Sequence, residues 1–140
     1  MKYCLDTDIV IEYLKGNPLI TSQIDSSDEQ FGITPITVLE LFYGAYRSAQ
    51  VERRIKEVQD VLLRFQVLFF TQPVAELFGK IKTELEEQGQ MLDNFDLVIG
   101  SFCCAHRLVL VTNNVRHFER ISGLLLENWA NPNYKQKMYK

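Results

Sequence analysis

Residues 3–16, YCLDTDIVIEYLKG, decide the fold class of this chain. The first half is a short apolar run, typical of a buried strand, that stops at Asp6. The second half places Val10, Tyr13 and Leu14 at helical spacing, and a glycine ends the pattern. A strand followed at once by a helix is the unit from which parallel, helix-covered sheets are built.

Length and composition bound the kind of protein. The chain has 140 residues, 46% of them hydrophobic, and a net charge of −3. We predict one domain over residues 1–130, followed by a mobile basic tail at residues 131–140. The longest uncharged apolar stretch, residues 97–105, is too short to span a membrane, and the first strand is too short for a signal sequence. These features predict a cytoplasmic protein with no membrane partner, and the mild charge leaves room only for a local basic patch.

Strand-like and helix-like segments alternate along the rest of the chain. Strands are predicted at residues 30–34, 66–70 and 108–112, with a further edge strand at 123–129, and amphipathic or buried helices lie between them. This alternation predicts an α/β fold with a mostly parallel sheet covered on both faces. Ligands bind such sheets at the carboxyl ends of the strands, which directs attention to Asp6, Thr34 and residues 112–114.

Four acids stand where burial without a partner is costly: Asp6, Asp8, Glu40 and Asp96. Each also has an ordinary explanation, because Asp8 and Asp96 could begin helices and Glu40 could pair with Arg47. Taken together they favour a shared cation. All the ligands offered are oxygens, which suits Mg²⁺ or Mn²⁺ rather than zinc.

No other catalytic set competes with these acids. His106 and His117 are interpreted as solvated or hydrogen-bonded histidines. The chain contains no glycine-rich phosphate loop, no GxSxG turn and no HExxH helix. A hydrolase without a histidine base uses metal-activated water, which is chemistry typical of phosphodiester cleavage.

Four ordered blocks give the chain a resemblance to a known family. YCLDTDIVIEYLKGN, ITVLELFYGAYRS, NFDLVIGSFCCAHR and LVTNNVRHFERISGLLLENW together resemble the PIN-domain ribonuclease toxins of the VapC type. The resemblance implies a three-layer α/β/α sandwich and an endoribonuclease dependent on Mg²⁺ or Mn²⁺. It also implies a homodimer and a cognate VapB-like antitoxin, with a heterotetramer or larger assembly on DNA.

The same resemblance implies which residues carry the chemistry. It assigns the catalytic and metal-binding acids to Asp6, Glu40 and Asp96. Many members carry an aspartate where this chain has Asn114, a neutral and weaker ligand, so that one or two metals remain open. Secondary site candidates are Asn114, Asp93, Thr112 and Asp8, and candidate RNA contacts are Arg47, Arg116 and Arg120. The aromatic residues Phe42, Tyr43 and Tyr46 could hold an antitoxin segment or simply pack in the core.

Within the block MLDNFDLVIG, the two acids are expected to differ in role. We predict that the helix begins between Asp93 and Asp96, so that Asp93 lies at or just before the N-cap. Asp96 then falls in the first turn, where the helix dipole favours its ionised form.

Two alternative functions stay open at this level. LDTDIV also matches the opening motif of haloacid-dehalogenase-like phosphatases, in which Asp6 would be the nucleophile. The remaining motifs of that class would then fall on Thr34, on Lys80 or Lys82, and on Asp93 with Asp96. That hypothesis leaves Glu40 unexplained and needs a larger sheet than this chain supplies. The second alternative is a catalytically inactive module that only binds an antitoxin.

Overall fold

Five short strands form the central sheet: β1 (Tyr3–Leu5), β2 (Gly32–Ile33), β3 (Gln66–Val67), β4 (Val109–Val111) and β5 (Leu126–Glu127). They lie in the order β3-β2-β1-β4-β5, and every neighbouring pair is parallel. This computed structural model describes residues 1–134. Residues 135–140, which make up most of the predicted basic tail, lie outside the described residues, and the domain boundary at residue 130 stays a prediction.

Seven helices cover the sheet: α1 (Thr7–Leu14), α2 (Pro18–Asp25), α3 (Pro35–Tyr46), α4 (Val51–Arg64), α5 (Gln72–Glu87), α6 (Asn94–His106) and α7 (Val115–Phe118). Apolar residues of α1 to α4 form one buried cluster, and those of α5, α6 and α7 form the other. The predicted α/β/α sandwich with a parallel sheet is therefore confirmed. Within residues 1–134 we find no helix whose length and hydrophobicity would let it cross a membrane.

The strands supply both clusters because successive side chains point to opposite faces of a sheet. Cys4 of β1 and Leu110 of β4 belong to the cluster under α5 and α6. Leu5 and Val111, the next residues, belong to the cluster under α1 to α4. All four side chains are completely buried, which explains the uninterrupted apolar runs of these central strands.

Two predictions about the elements are wrong in part. The strands are shorter than predicted: β3 ends at Val67, and the exposed residues Phe69 and Phe70 follow it in a loop. Helix α2 was not predicted. Its start carries a recognisable signal, since Asn17 accepts the Leu19 N–H as N-cap and Pro18 occupies the first turn.

A close approach fixes α6 against the segment that follows α7. A Cβ atom added at Gly100, in the middle of α6, would lie 2.5 Å from Cδ1 of Ile121. Only glycine permits this spacing without displacement of the isoleucine. The approach holds α7 beside the first turn of α6, and two residues of these elements meet at the site described next.

Candidate active site

Asp6 lies at the carboxyl end of the central strand and is the most buried acid of the chain described. It is 7% exposed and caps α1, with its Oδ1 accepting the Thr7 N–H at 2.9 Å. The hydroxyl of Thr112, directly after β4, donates to its Oδ2 at 2.7 Å. Burial, and after it the charge of Asp8, raises the pKa of Asp6 to about 7, although both hydrogen bonds oppose that shift.

Asp8 lies one residue into the first turn of α1. Its Oδ2 accepts the backbone N–H of Asn113 at 3.0 Å. Its Oδ1 is buried and has no hydrogen-bond partner among residues 1–134. Burial raises the pKa of Asp8, and the charges of Asp96 and Glu12 add to the effect. A buried carboxylate oxygen left without a partner is costly, which indicates that this side chain is arranged to meet a ligand.

Asp93 and Asp96 have the separate roles predicted from their spacing. Asp93 is the N-cap of α6, and its Oδ1 accepts the Phe95 N–H at 2.8 Å. Asp96 lies in the first turn and is half-buried. Burial, followed by the charge of Asp93, raises the pKa of Asp96, and His117 acts in the opposite direction. The prediction that the helix begins between the two acids is confirmed.

Glu40 of α3 approaches the acids through a hydroxyl. The hydroxyl of Thr7 donates to its Oε1 at 2.7 Å and lies 2.9 Å from the hydroxyl of Thr37. Among the described residues Glu40 makes no ion pair with Arg47, the ordinary explanation considered for it. The expectation that Glu40 is buried was too strong, because it is only half-buried and the adjacent Leu39 is 58% exposed.

Asn114 and His117 complete this edge of the sheet. The backbone N–H of Asn114 donates to the Thr112 hydroxyl at 2.9 Å. Its side-chain Nδ2 lies 2.8 Å from Nδ1 of His117, and that same ring nitrogen lies 3.6 Å from Oδ2 of Asp96. Sequence reasoning set His117 aside as an ordinary hydrogen-bonded histidine. The available signal was its spacing from Asn114, because residues three apart share one face of a helix.

The three predicted RNA contacts differ in how free they are. The guanidinium of Arg47 lies over the ring of the exposed Tyr43, 5.4 Å from its centroid. Arg120 donates to the Met91 carbonyl at 2.7 Å, which ties it to the loop before α6. Arg116 of α7 is exposed and makes no ion pair within the described part of the chain. Arg116 is therefore the freest of the three to meet a phosphate.

The donor set suits a hard divalent cation in chemistry. Asp6, Asp8 and Asp96 raise one another's pKa, and across residues 1–134 no lysine or arginine pairs with any of them. As arranged, however, no group of three or more acidic, histidine or cysteine side chains in that range is placed to hold a metal ion. The predicted convergence of three acids on one point is thus not met, since Glu40 is held by Thr7 instead. The oxygens and the uncompensated charge fit Mg²⁺ or Mn²⁺, provided that side chains rotate on binding.

The residues required by a phosphatase of the haloacid-dehalogenase type are not assembled here. Thr34 is buried at the start of α3, where its hydroxyl accepts the Thr37 N–H. Lys82 donates to Oδ1 of Asn94, and Lys80 borders a cavity of about 490 Å³ lined by α5, the end of α6 and residues 122–125. Neither lysine makes an ion pair with an acid within residues 1–134, so the phosphatase hypothesis has no support in the geometry.

Comparison with known proteins gives a consistent result over nearly the whole chain. The PIN domain family matches residues 3–124. The chain is 41% identical to Ribonuclease VapC2 of Haemophilus influenzae, over 93% of this chain and 99% of that protein. It is 34% identical, with the same coverage, to the tRNA(fMet)-specific endonuclease VapC of Shigella flexneri.

The fold agrees with the same assignment. The crystal structure of DNA-bound VapBC from Salmonella typhimurium contains a chain that superimposes with a TM-score of 0.87 at 35% identity, covering 92% of this chain and 98% of that one. Family match, sequence identity and fold all coincide on the same residues. The chain therefore belongs to the VapC family of PIN-domain ribonucleases.

Proposed function

We propose that this protein is the toxin of a toxin–antitoxin pair, an endoribonuclease that requires Mg²⁺ or Mn²⁺ and works in the cytoplasm. The observation that carries the proposal is the cluster of Asp6, Asp8 and Asp96. These acids share a strand edge, raise one another's pKa and leave the buried Asp8 Oδ1 without a partner among the described residues. Such a cluster is stabilised by a bound cation.

In this proposal Asp6 and Asp96 hold the cation, and Glu40 joins them once Thr7 releases it. A divalent cation bound there supplies Lewis-acid activation of water and neutralises charge on the phosphodiester. Thr112 fixes the orientation of Asp6 through its hydroxyl, and Asp93 fixes the start of α6. Asp8 and Asn114 are secondary ligands, and the amide of Asn114 contributes no charge, which favours a single strongly bound metal.

The same acids would repel RNA in the absence of basic residues nearby. We assign phosphate contacts to Arg47 and Arg116, whose exposed guanidinium groups lie on α3 and α7. Arg120 is a weaker candidate because its guanidinium already binds the Met91 carbonyl. The relative from Shigella flexneri is named for cleavage of tRNA(fMet), so transfer RNA is the first substrate class to test.

A groove beside Glu40 is the proposed seat of the antitoxin. It has a volume of about 310 Å³ and runs between α1, α3 and α4, with Ile11, Leu41 and Val58 in its lining. Gly44 opens the groove because no atom lies within 4 Å of the place where its side chain would begin. Glu40 lines the groove as well, so an apolar segment bound there would reach the catalytic acids.

The predicted aromatic face divides between core and surface. Phe42 packs against the buried cluster, whereas Tyr43 and Tyr46 are 66% and 68% exposed. The two tyrosines, together with Leu39 and the loop residues Phe69 and Phe70, leave a large apolar surface open. Because monomers rarely expose so much, we assign these residues to contacts with a second copy of the chain and with the antitoxin.

Chelation tests the proposed activity directly. Purified protein freed of antitoxin should cleave transfer RNA, lose cleavage in EDTA and regain it on addition of Mg²⁺ or Mn²⁺. Glu40→Gln should abolish cleavage while keeping the fold, and Glu86→Gln, an exposed substitution on α5, serves as the matched control. Cleavage that persists in EDTA, or a fully active Glu40→Gln variant, would contradict the proposal.

A further inference from the structure

The imidazole of His117 faces the acid cluster from the short helix α7. Its Nδ1 lies 3.6 Å from Oδ2 of Asp96, although the two residues belong to different helices. We infer that His117 is a nitrogen ligand of the catalytic cation and makes the site prefer Mn²⁺ to Mg²⁺. This inference rests on the proposed function, since it adds a ligand to the metal proposed there.

The hydrogen bonding at His117 leaves the correct nitrogen available. Nδ1 is 2.8 Å from the side-chain nitrogen of Asn114, which donates to it and so meets a lone pair. The contact with Asp96 is too long for a hydrogen bond, so the ring does not spend a proton on that carboxylate. The neutral ring with its proton on Nε2 is the form that binds a metal through Nδ1.

The spacing of the two groups is close to that of two ligands on one ion. Ligands about 2.1 Å from a cation and at right angles to each other lie roughly 3 Å apart. His117 therefore needs to move by about half an ångström, and its side chain is 49% exposed on a helix of four residues. The Asn114 amide, released from the ring, can turn its oxygen toward the same ion as a third donor.

A nitrogen ligand changes the order of preference among divalent cations. Mg²⁺ favours oxygen ligands and retains its waters, whereas imidazole binds better to transition metals. The chain has only two histidines, and the other is occupied elsewhere. His106 bonds the Phe69 carbonyl at 3.0 Å and stacks on Phe102, which makes it a built-in control.

The test uses untagged, antitoxin-free protein at about pH 8, above the range in which ordinary imidazoles titrate. The probe is Mn²⁺ alone, followed by electron spin-echo envelope modulation. Nitrogen modulation is expected in the wild type and in His106→Gln, and it should vanish in His117→Gln. Calorimetric titration of His117→Gln should show Mn²⁺ affinity lower by about tenfold or more, with Mg²⁺ affinity changed by less than about twofold.

Labelling keeps the test independent of how well the variant folds. In wild-type protein, ¹⁵N-histidine should replace the ¹⁴N pattern with that of ¹⁵N. Mn²⁺ bound without nitrogen modulation, or with modulation unchanged in a folded His117→Gln, overturns the inference and leaves the proposed metal-dependent ribonuclease intact. Failure of the wild type to bind either cation overturns both.

Discussion

Replacing Asp6 by asparagine should stabilise the metal-free protein at neutral pH, although it removes a proposed catalytic residue. Burial, with the charge of Asp8, raises the pKa of Asp6 from 3.8 to about 7 in the folded state. The folded protein thus binds more protons than the unfolded chain between those two values. Its free energy of unfolding falls as the pH rises through that window. A shift of about three units corresponds to about 4 kcal/mol above pH 7.

The asparagine variant loses one interaction in exchange. Its amide oxygen can still accept the Thr7 N–H, but the Thr112 hydroxyl no longer meets an acceptor, at a cost of about 1 kcal/mol that does not depend on pH. We therefore expect Asp6→Asn to be less stable than wild type by about 1 kcal/mol near pH 4. It should be more stable by about 3 kcal/mol near pH 8.

Urea denaturation in EDTA at fixed protein concentration, from pH 4 to pH 8, measures this difference. The exposed substitution Asp60→Asn on α4 should show no comparable dependence on pH. Added Mg²⁺ should favour the wild type, because a cation that binds only the carboxylate stabilises only that protein. A difference between Asp6→Asn and wild type that is the same at every pH would refute the reasoning.

Three further predictions concern other parts of the structure. Asp96→Asn should abolish RNA cleavage with little change in melting temperature, whereas Asp93→Asn, still a competent cap, should keep substantial activity; the reverse pattern in a cleavage assay would exchange their roles. Gly44→Leu should weaken antitoxin binding by at least about tenfold in a titration while RNA cleavage persists, since its side chain fills the groove without a clash. Gly100→Ala should lower stability by about 1 kcal/mol in denaturant unfolding, because the added methyl group meets Ile121, and Ile121→Val in the same chain should restore it; an unchanged double variant would show that this contact is not the cause.

The sequence was sufficient for features that depend on local pattern. The apolar runs and helical spacings predicted the parallel sheet, and the order of Asp93, Asn94 and Phe95 placed the start of α6 correctly. Helix α2 was missed because its eight residues show only a weak apolar stripe. The Asn17–Pro18 signal at its start was nevertheless present.

The features that were missed depend on contacts between distant segments. Glu40 was expected to be buried because its neighbours are leucines, but α3 lies at the surface and exposes Leu39. The Thr7 hydroxyl that holds Glu40 comes from 33 residues earlier in the chain. His117 gains its importance from Asp96, which belongs to another helix, and no local pattern reports such a neighbour.

The position of β1 at the centre of the sheet has a consequence for synthesis of the protein. Asp6 is made among the first residues, but its backbone N–H bonds Val111 and its carboxylate bonds Thr112, 106 residues later. Translation adds about 5–20 residues per second, so this acid waits for several seconds without its partners. Any chain released early by a stalled ribosome carries Asp6 yet lacks β4 and Thr112. Interrupted translation therefore yields fragments without a nuclease site, and a cell meets the active toxin only as finished molecules.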